Sequence, residues 1–386
     1  MKLMKVLKVM PLFILLMGLS TGYAQVKKTK YVLTDTKKLE ASPVRDQCRT
    51  GTCWCFSSSS FIESELLRSG KGAYEISEMF TVRKAYEEKA KQYVMMHGHV
   101  NFGEGGEFHD VMRIFKEYGA VPKEAYPGKP AYDNIYTQNE LEAVLKGMLD
   151  AVIANHDGQL NPNWFEAVNG VLDAYLGKVP EKFNYNGKEY TPMTFAKSLG
   201  IDPDDYVELT STTAHPFYSK FVNEIEDNWH WDEINNVPLS DLQEILGNSI
   251  NEGYTVAWGG DVSEPGFAYK MGIAVNPDVH WDTIARDKRD TFLIWPMKQK
   301  VVTQEIRQQG LDNYATTDDH GMQITGTATD QLGDKFYLVK NSWGSKLNDF
   351  NGYFYASESY VLEKTTSIMV NKKTIPKDIA KKLAIK

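Results

Sequence analysis

The sequence predicts an α+β fold of two lobes, mostly helical in its N-terminal half and mostly strand in its C-terminal half. Three observations lead there. Between Cys53 and about residue 118 the apolar residues recur at helical spacing and the runs end at glycine. Beyond residue 250 the period changes to short β-branched and aromatic runs bounded by Gly, Asp and Asn. And 386 residues with 42% hydrophobic content can bury a substantial core. Lobes of opposite secondary structure imply a cleft between them.

The first 24 residues stand apart. Lys2, Lys5 and Lys8 precede an apolar stretch from Met10 to Leu19, and Gly22 and Ala24 supply small residues at a cleavage site. This is the pattern of a secretory signal peptide, so the mature chain is expected to begin at Gln25, periplasmic or extracellular, with no membrane association after cleavage. The expected mature unit is then 25–386. Within it we expect a helical lobe over about 43–127, a mostly helical insertion over about 128–250, a β-rich lobe over about 251–370, and a tail from 371 to 386.

Each element has its own reason. Residues 25–42 are rich in Lys and Thr and read as an extended lead-in. A helix over 53–69 follows from an uninterrupted run with Thr52 as N-cap and Gly70 at its end. Its apolar residues cover most of its circumference, which argues for burial. Helices are also expected over 74–96, over 107–118 ahead of Gly119, and over Leu141 to Ile153. Strands are expected at 254–258, 321–325, 335–339 and 353–355, and a short helix at 375–383 with Pro376 in its first turn.

Charge excludes some classes. A net charge of −8, a pI near 5.6 and no basic block argue against nucleic acid as a partner. Aromatic content of 12% suits cleft-lining rings. The three cysteines, 48, 53 and 55, lie within eight residues. An odd count leaves at least one free thiol, and a Cys48–Cys55 bridge stays open. No metal or other cofactor is expected, because neither a second ligand segment nor a third partner for His97 and His99 is present.

Chemistry concentrates at Gln47-Cys48-Arg49-Thr50-Gly51-Thr52-Cys53-Trp54-Cys55-Phe56-Ser57. Acyl transfer by a thiol needs a thiolate, a base, an orienter for that base, and donors for the oxyanion. Cys53 in the first turn of a helix meets the positive end of the dipole, which lowers its pKa. Its own backbone N–H then points at an oxygen developing beside the sulfur. Gln47 can bring a side-chain N–H to the same place.

This string resembles the active-site signature of the papain superfamily, in which a Gln precedes the nucleophile by six residues within Gly-Ser/Thr-Cys-Trp-x-Phe-Ser. The match assigns Gln47 to the oxyanion hole and Cys53 to nucleophilic attack, with Trp54 as a supporting residue. It implies a papain-like two-lobe fold. Partners then follow at the other end of the chain. His320 begins a predicted strand, and Asn341 lies in Val339-Lys340-Asn341-Ser342-Trp343-Gly344. An Asn oxygen accepting from one imidazole nitrogen leaves the other facing the thiol, and the Trp343 indole keeps water off that bond. Gly105 and Gly106 are similar to the superfamily's segment that binds the substrate peptide like an added strand.

Finer detail is similar to the bleomycin hydrolase and aminopeptidase C branch. Gly105-Gly106-Glu107-Phe108-His109-Asp110, Glu117-Tyr118-Gly119-Ala120-Val121-Pro122-Lys123, residues 251–262 and Val370-Asn371-Lys372-Lys373 carry that resemblance. It implies a thiol protease acting on peptides, an aminopeptidase working through a thioester, and possible homo-oligomers. Two features depart from the branch: the leader, and a tail that looks short for the arm that normally lies in the cleft. The second suggests endopeptidase or dipeptidyl action through an open cleft. An inactive peptide-binding module would lack one of Gln47, Cys53, His320 or Asn341, and all four are present. A dithiol redox site would need two residues, not one, between Cys53 and Cys55.

Overall fold

A computed structural model describes residues 28–132, 135–156 and 158–385. The expected leader lies outside them. The chain begins with β1 (Thr34–Lys38) and then enters three helices, α1 (Cys53–Arg68), α2 (Glu78–Met95) and α3 (Phe108–Tyr118). Buried residues run from Trp54 to Leu66 without a break, so α1 is enclosed by protein on every side. Gly70 closes it with φ +73, a left-handed conformation that glycine adopts without a Cβ clash. Thr52 occupies the N-cap position without capping, because its hydroxyl pairs with Thr50 Oγ1 at 2.6 Å. Ser77 does cap α2, accepting from the Phe80 N–H at 3.1 Å.

The middle of the chain is not uniformly helical. It carries α4 (Asn139–Ile153), α5 (Trp164–Tyr175), a hairpin of β2 (Phe183–Tyr185) and β3 (Lys188–Tyr190), and α6 (Pro192–Leu199). Leu141, Leu145, Leu149, Val168, Leu172 and Phe195 join the same apolar core as α1–α3. Then β4 (Tyr206–Thr210), β5 (Lys220–Val222) and β6 (Glu233–Asn236) add an edge to the large sheet, and α7 (Leu239–Asn251) packs into a second core. The segment is thus divided between the two cores.

The rest of that sheet comes from β7 (Val256–Gly260), β8 (Phe267–Ala268), β9 (Ile273–Ala274), β10 (His320–Thr329), β11 (Lys335–Lys340), β12 (Tyr353–Ser357) and β13 (Thr365–Asn371). Helices α8 (Arg289–Phe292), α9 (Gln304–Asp312), α10 (Glu358–Lys364) and α11 (Lys377–Lys382) lie between or after these strands. Strand order is β5-β6-β4-β13-β7-β10-β11-β12-β9-β8, with β1 added against the far end of β10. The polar lead-in therefore supplies a strand to the C-terminal sheet, with the Thr36 and Thr327 hydroxyls bonded at 2.8 Å.

At the centre, β7 lies antiparallel between β10 and β13, His320 facing Gly260 and Met322 facing Trp258. The tail helix α11 buries Ile379 and Leu383 in the strand-side core. Among the described residues no helix is long and apolar enough to cross a membrane.

Candidate active site

Two elements from opposite ends of the chain meet here. Cys53 opens α1, and His320 opens β10, which lies along α1. Gly321 makes this approach possible. A Cβ there would come within 2.8 Å of Ser57 Oγ and 3.1 Å of Trp54 Cα, so any larger residue would push the strand off the helix. The residue after His320 thus rests on the residue after Cys53. The backbone N–H groups of Gly321 and Trp54 both bear on the Cys53 sulfur.

His320 is buried, and its Nε2–H donates to Asn341 Oδ1 at 2.7 Å. That fixes Nδ1 as the nitrogen left for a proton from elsewhere. Asn341 Oδ1 also accepts from the Ser342 N–H at 2.7 Å, which holds the amide in place. The Trp343 ring lies 4.7 Å from the imidazole centroid, tilted by 31°, and Tyr269 meets the Trp343 ring edge-on at 4.9 Å.

Gln47 is tied to this same loop. Its backbone N–H donates to Ser342 O at 2.9 Å, and its Oε1 accepts from Ser342 Oγ at 2.6 Å. Its Nε2 donates to Thr50 O at 2.7 Å. An amide nitrogen carries two hydrogens, so one N–H remains for an oxyanion. One hydrogen-bonded loop pair therefore holds both Asn341 and Gln47.

Burial opposes each charge taken alone. It pushes the Cys53 thiol up to about 12, helped by Asp318 and Asp227, and pushes the His320 imidazole down to about 4. Desolvation thus works against a thiolate and against an imidazolium taken singly, where a helix-start cysteine suggests a lowered pKa. Opposing influences are the N–H groups at the sulfur and the Asn341 bond on the imidazole.

Gly105 and Gly106 lie beside Trp54, whose indole N–H donates to Glu104 O at 3.0 Å. A Cβ on Gly106 would meet the Trp54 ring at 3.0 Å, and one on Gly105 would collide with the Asp227 carboxylate. The absent side chains thus admit protein groups. Asp227, Asp318 and Glu107 are the site residues that sequence reasoning missed. Glu107 follows the two glycines in a string already singled out, and Asp318 lies two residues before His320. Asp227 carries no local signal.

Burial raises Glu107 well above the usual carboxylate range, with Asp318 adding to the shift. Asp318 rises to about 7 for the same reason, desolvation first and Asp227 next. A carboxyl with a raised folded-state pKa keeps its proton where the unfolded chain has lost it. Stability is then lost as pH climbs from the ordinary value toward 7. Asp318→Asn should be more stable than the parent at pH 8, on the order of 1–3 kcal/mol, and indistinguishable from it at pH 3. Urea unfolding at both pH values checks this; equal stability at pH 8 would refute it.

All three cysteines are free. Cys55 is buried and donates to Glu78 O at 3.3 Å. The one group of described residues with metal-ligand spacing is His109, Asp110 and Asp232. Arg113 pairs with both of those acids, so the cluster is an ion-pair network.

Comparison with known proteins gives the family. A family model described as the peptidase C1-like family matches residues 19–386. The chain belongs to that family. Aminopeptidase C of Streptococcus thermophilus is 25% identical to it, over 93% of this chain and 86% of the relative. Aminopeptidase C of Lactobacillus delbrueckii subsp. lactis is 24% identical, over 90% and 83% respectively. Aminopeptidase W of the same organism is 23% identical, over 94% and 88%. Among solved structures, PepW from Lactobacillus rhamnosis HN001 superposes with a TM-score of 0.71 at 19% identity, covering 91% of this chain and 84% of that one. The fold is papain-like, and this member of the peptidase C1-like family is a cysteine peptidase of the bleomycin hydrolase and aminopeptidase C branch.

Proposed function

We propose that this protein is an exported aminopeptidase that cleaves peptide bonds through a thioester acyl-enzyme, with Cys53 as nucleophile and His320 as base. The observation that carries the reading is the His320–Asn341 bond, 2.7 Å long, at the start of a strand seated on the helix that begins with Cys53. As the sulfur attacks the carbonyl carbon, its proton passes to His320 Nδ1. The carbonyl oxygen becomes an oxyanion, held by the Cys53 N–H and the remaining N–H of Gln47. His320 then gives that proton to the departing amine, the C–N bond breaks, and the thioester remains. Water attacks in turn, His320 takes a proton from it, and the C–S bond breaks to restore the thiol. Moving a proton from sulfur to imidazole leaves the net charge of the buried pair unchanged, so each charge offsets the desolvation of the other.

Aminopeptidase action is supported by the names of the relatives. Export is supported by the basic and apolar leader, and N-terminal sequencing of the secreted protein should start at Gln25. Iodoacetamide should modify Cys53 and abolish peptide hydrolysis in proportion, read by mass spectrometry. Activity surviving full modification would defeat the reading.

The oxyanion assignment has its own test. Gln47→Ala should lower kcat by roughly 10²–10³ with a smaller change in KM. Asn341→Ala should lower it less, because it loosens an orienter and removes no reacting group. Steady-state kinetics of both variants beside His320→Ala decide the matter: an Asn341 variant more damaged than the His320 variant would reverse the roles.

A further inference from the structure

The loop between β5 and β6 crosses to the helical lobe and is anchored there. Trp229 is buried, its indole N–H donates to Asp110 Oδ2 at 3.0 Å, and Arg113 lies 5.0 Å from its ring. Asn228 Nδ2 clamps the loop internally, donating to Asn223 O at 2.8 Å and Asp232 O at 2.9 Å. This fixed strap sets the Asp227 carboxylate against Gly105, in the segment matched to substrate binding. Peptide extending along that segment away from Cys53 meets a carboxylate.

Asp227 belongs to a larger wall. A cavity of about 660 Å³ is bounded by Asn223, Asp227, Tyr314, Asp318 and Thr366 among others. Glu107, 5% exposed, shares a hydrogen bond with Asp318 behind this wall. Among the described residues no Lys or Arg forms an ion pair with Asp227, Asp318 or Glu107. Lys89, the cation that bears most on Asp227, spends its Nζ on the carbonyls of Gly103 and Gly105. The buried Asn223, 8% exposed, leaves its Nδ2 without a hydrogen-bond partner on the same cavity wall. Carboxyl groups bonded only to neutral partners, Asp227 to the Asn101 amide at 3.4 Å and Asp318 to the Thr366 hydroxyl at 3.3 Å, beside an orphaned amide donor fit a ligand with one cationic end and a carbonyl close behind it. The N terminus of a peptide has that chemistry. A metal ion fits less well, since these three acids do not converge as His109, Asp110 and Asp232 do.

We propose that Asp227, backed by the Glu107–Asp318 carboxyl pair, binds the free α-ammonium of the substrate and closes the cleft beyond it. The enzyme is then restricted to unblocked N termini by its own insertion loop, independently of the tail. This rests on the reading of Cys53 as nucleophile. It also has a consequence for that residue. Asp227 and Asp318 oppose ionisation of the thiol, so an ammonium bound between them eases proton transfer to His320.

The test uses matched fluorogenic di- and tripeptide amides with free and acetylated N termini, plus an acetylated peptide carrying Lys at its N-terminal residue. The full-length enzyme should lose at least about tenfold in kcat/KM on acetylation. Asp227→Asn should shrink that preference to within about threefold by slowing the free peptide. Equal hydrolysis of free and acetylated peptides by the parent enzyme would overturn the proposal, and needs no variant. So would an unchanged preference in folded Asp227→Asn, or recovery of full rate by the acetylated Lys peptide, which would mean that the cavity reads a side-chain cation. Loss of all hydrolysis together with a Cys53 inert to iodoacetamide would instead bring down the peptidase reading itself.

Discussion

Cys53→Ala is expected to abolish peptide hydrolysis, a loss of about 10⁴-fold or more, while the circular dichroism spectrum and the urea midpoint stay close to the parent's. The sulfur is the only atom removed. It sits half-buried at a helix start whose backbone is set by Gly321 packing on Trp54 and Ser57. On the proposed mechanism, taking it away removes the attacking atom and leaves a hole of one atom. The damage should not add to that of His320→Ala. Proton transfer and attack are one event, so the Cys53→Ala/His320→Ala double variant should be about as inactive as either single one. Additive losses would mean that the two side chains act separately. Substantial activity in Cys53→Ala would remove the assignment altogether.

The second large effect concerns stability. Trp258 is fully buried at the centre of the sheet, on β7 between β10 and β13. Its indole N–H donates to Thr365 Oγ1 at 2.8 Å. Trp258→Ala should cost about 3–5 kcal/mol, from lost apolar burial and the cavity left behind. A lower urea midpoint with a similar slope is the expected reading. Because β7 registers His320 against Gly260, activity should fall along with stability. A cost under about 1 kcal/mol would show that neighbouring side chains refill the space.

Much of this was legible in the order of residues. Cys53, His320 and Asn341 announce themselves because each lies in a short string whose chemistry needs those neighbours: a helix start, a strand start, an amide followed by an indole. The four strands expected after residue 250 and the first three helices are present with boundaries moved by up to four residues, since hydrophobic period reports burial more sharply than ends. Thr52 shows the limit of cap rules. A hydroxyl two residues from another hydroxyl can satisfy itself there, and did.

What the sequence settled by itself was local: which thiol opens a helix, which histidine opens a strand, which Asn lies in an Asn-Ser-Trp-Gly loop; the strands β2–β6 inside the segment expected to be mostly helical were not legible there. The tertiary structure decided what depends on residues far apart in the chain. The polar lead-in became a strand because β10 offered it an unpaired edge. Burial pushes the Cys53 thiol up and the His320 imidazole down, and the burial that does so comes from two lobes at once. Asp227 reached Gly105 only through a strap pinned by Trp229. No pattern in either segment encodes that meeting, because electrostatic neighbours are set by three-dimensional distance and not by spacing along the chain.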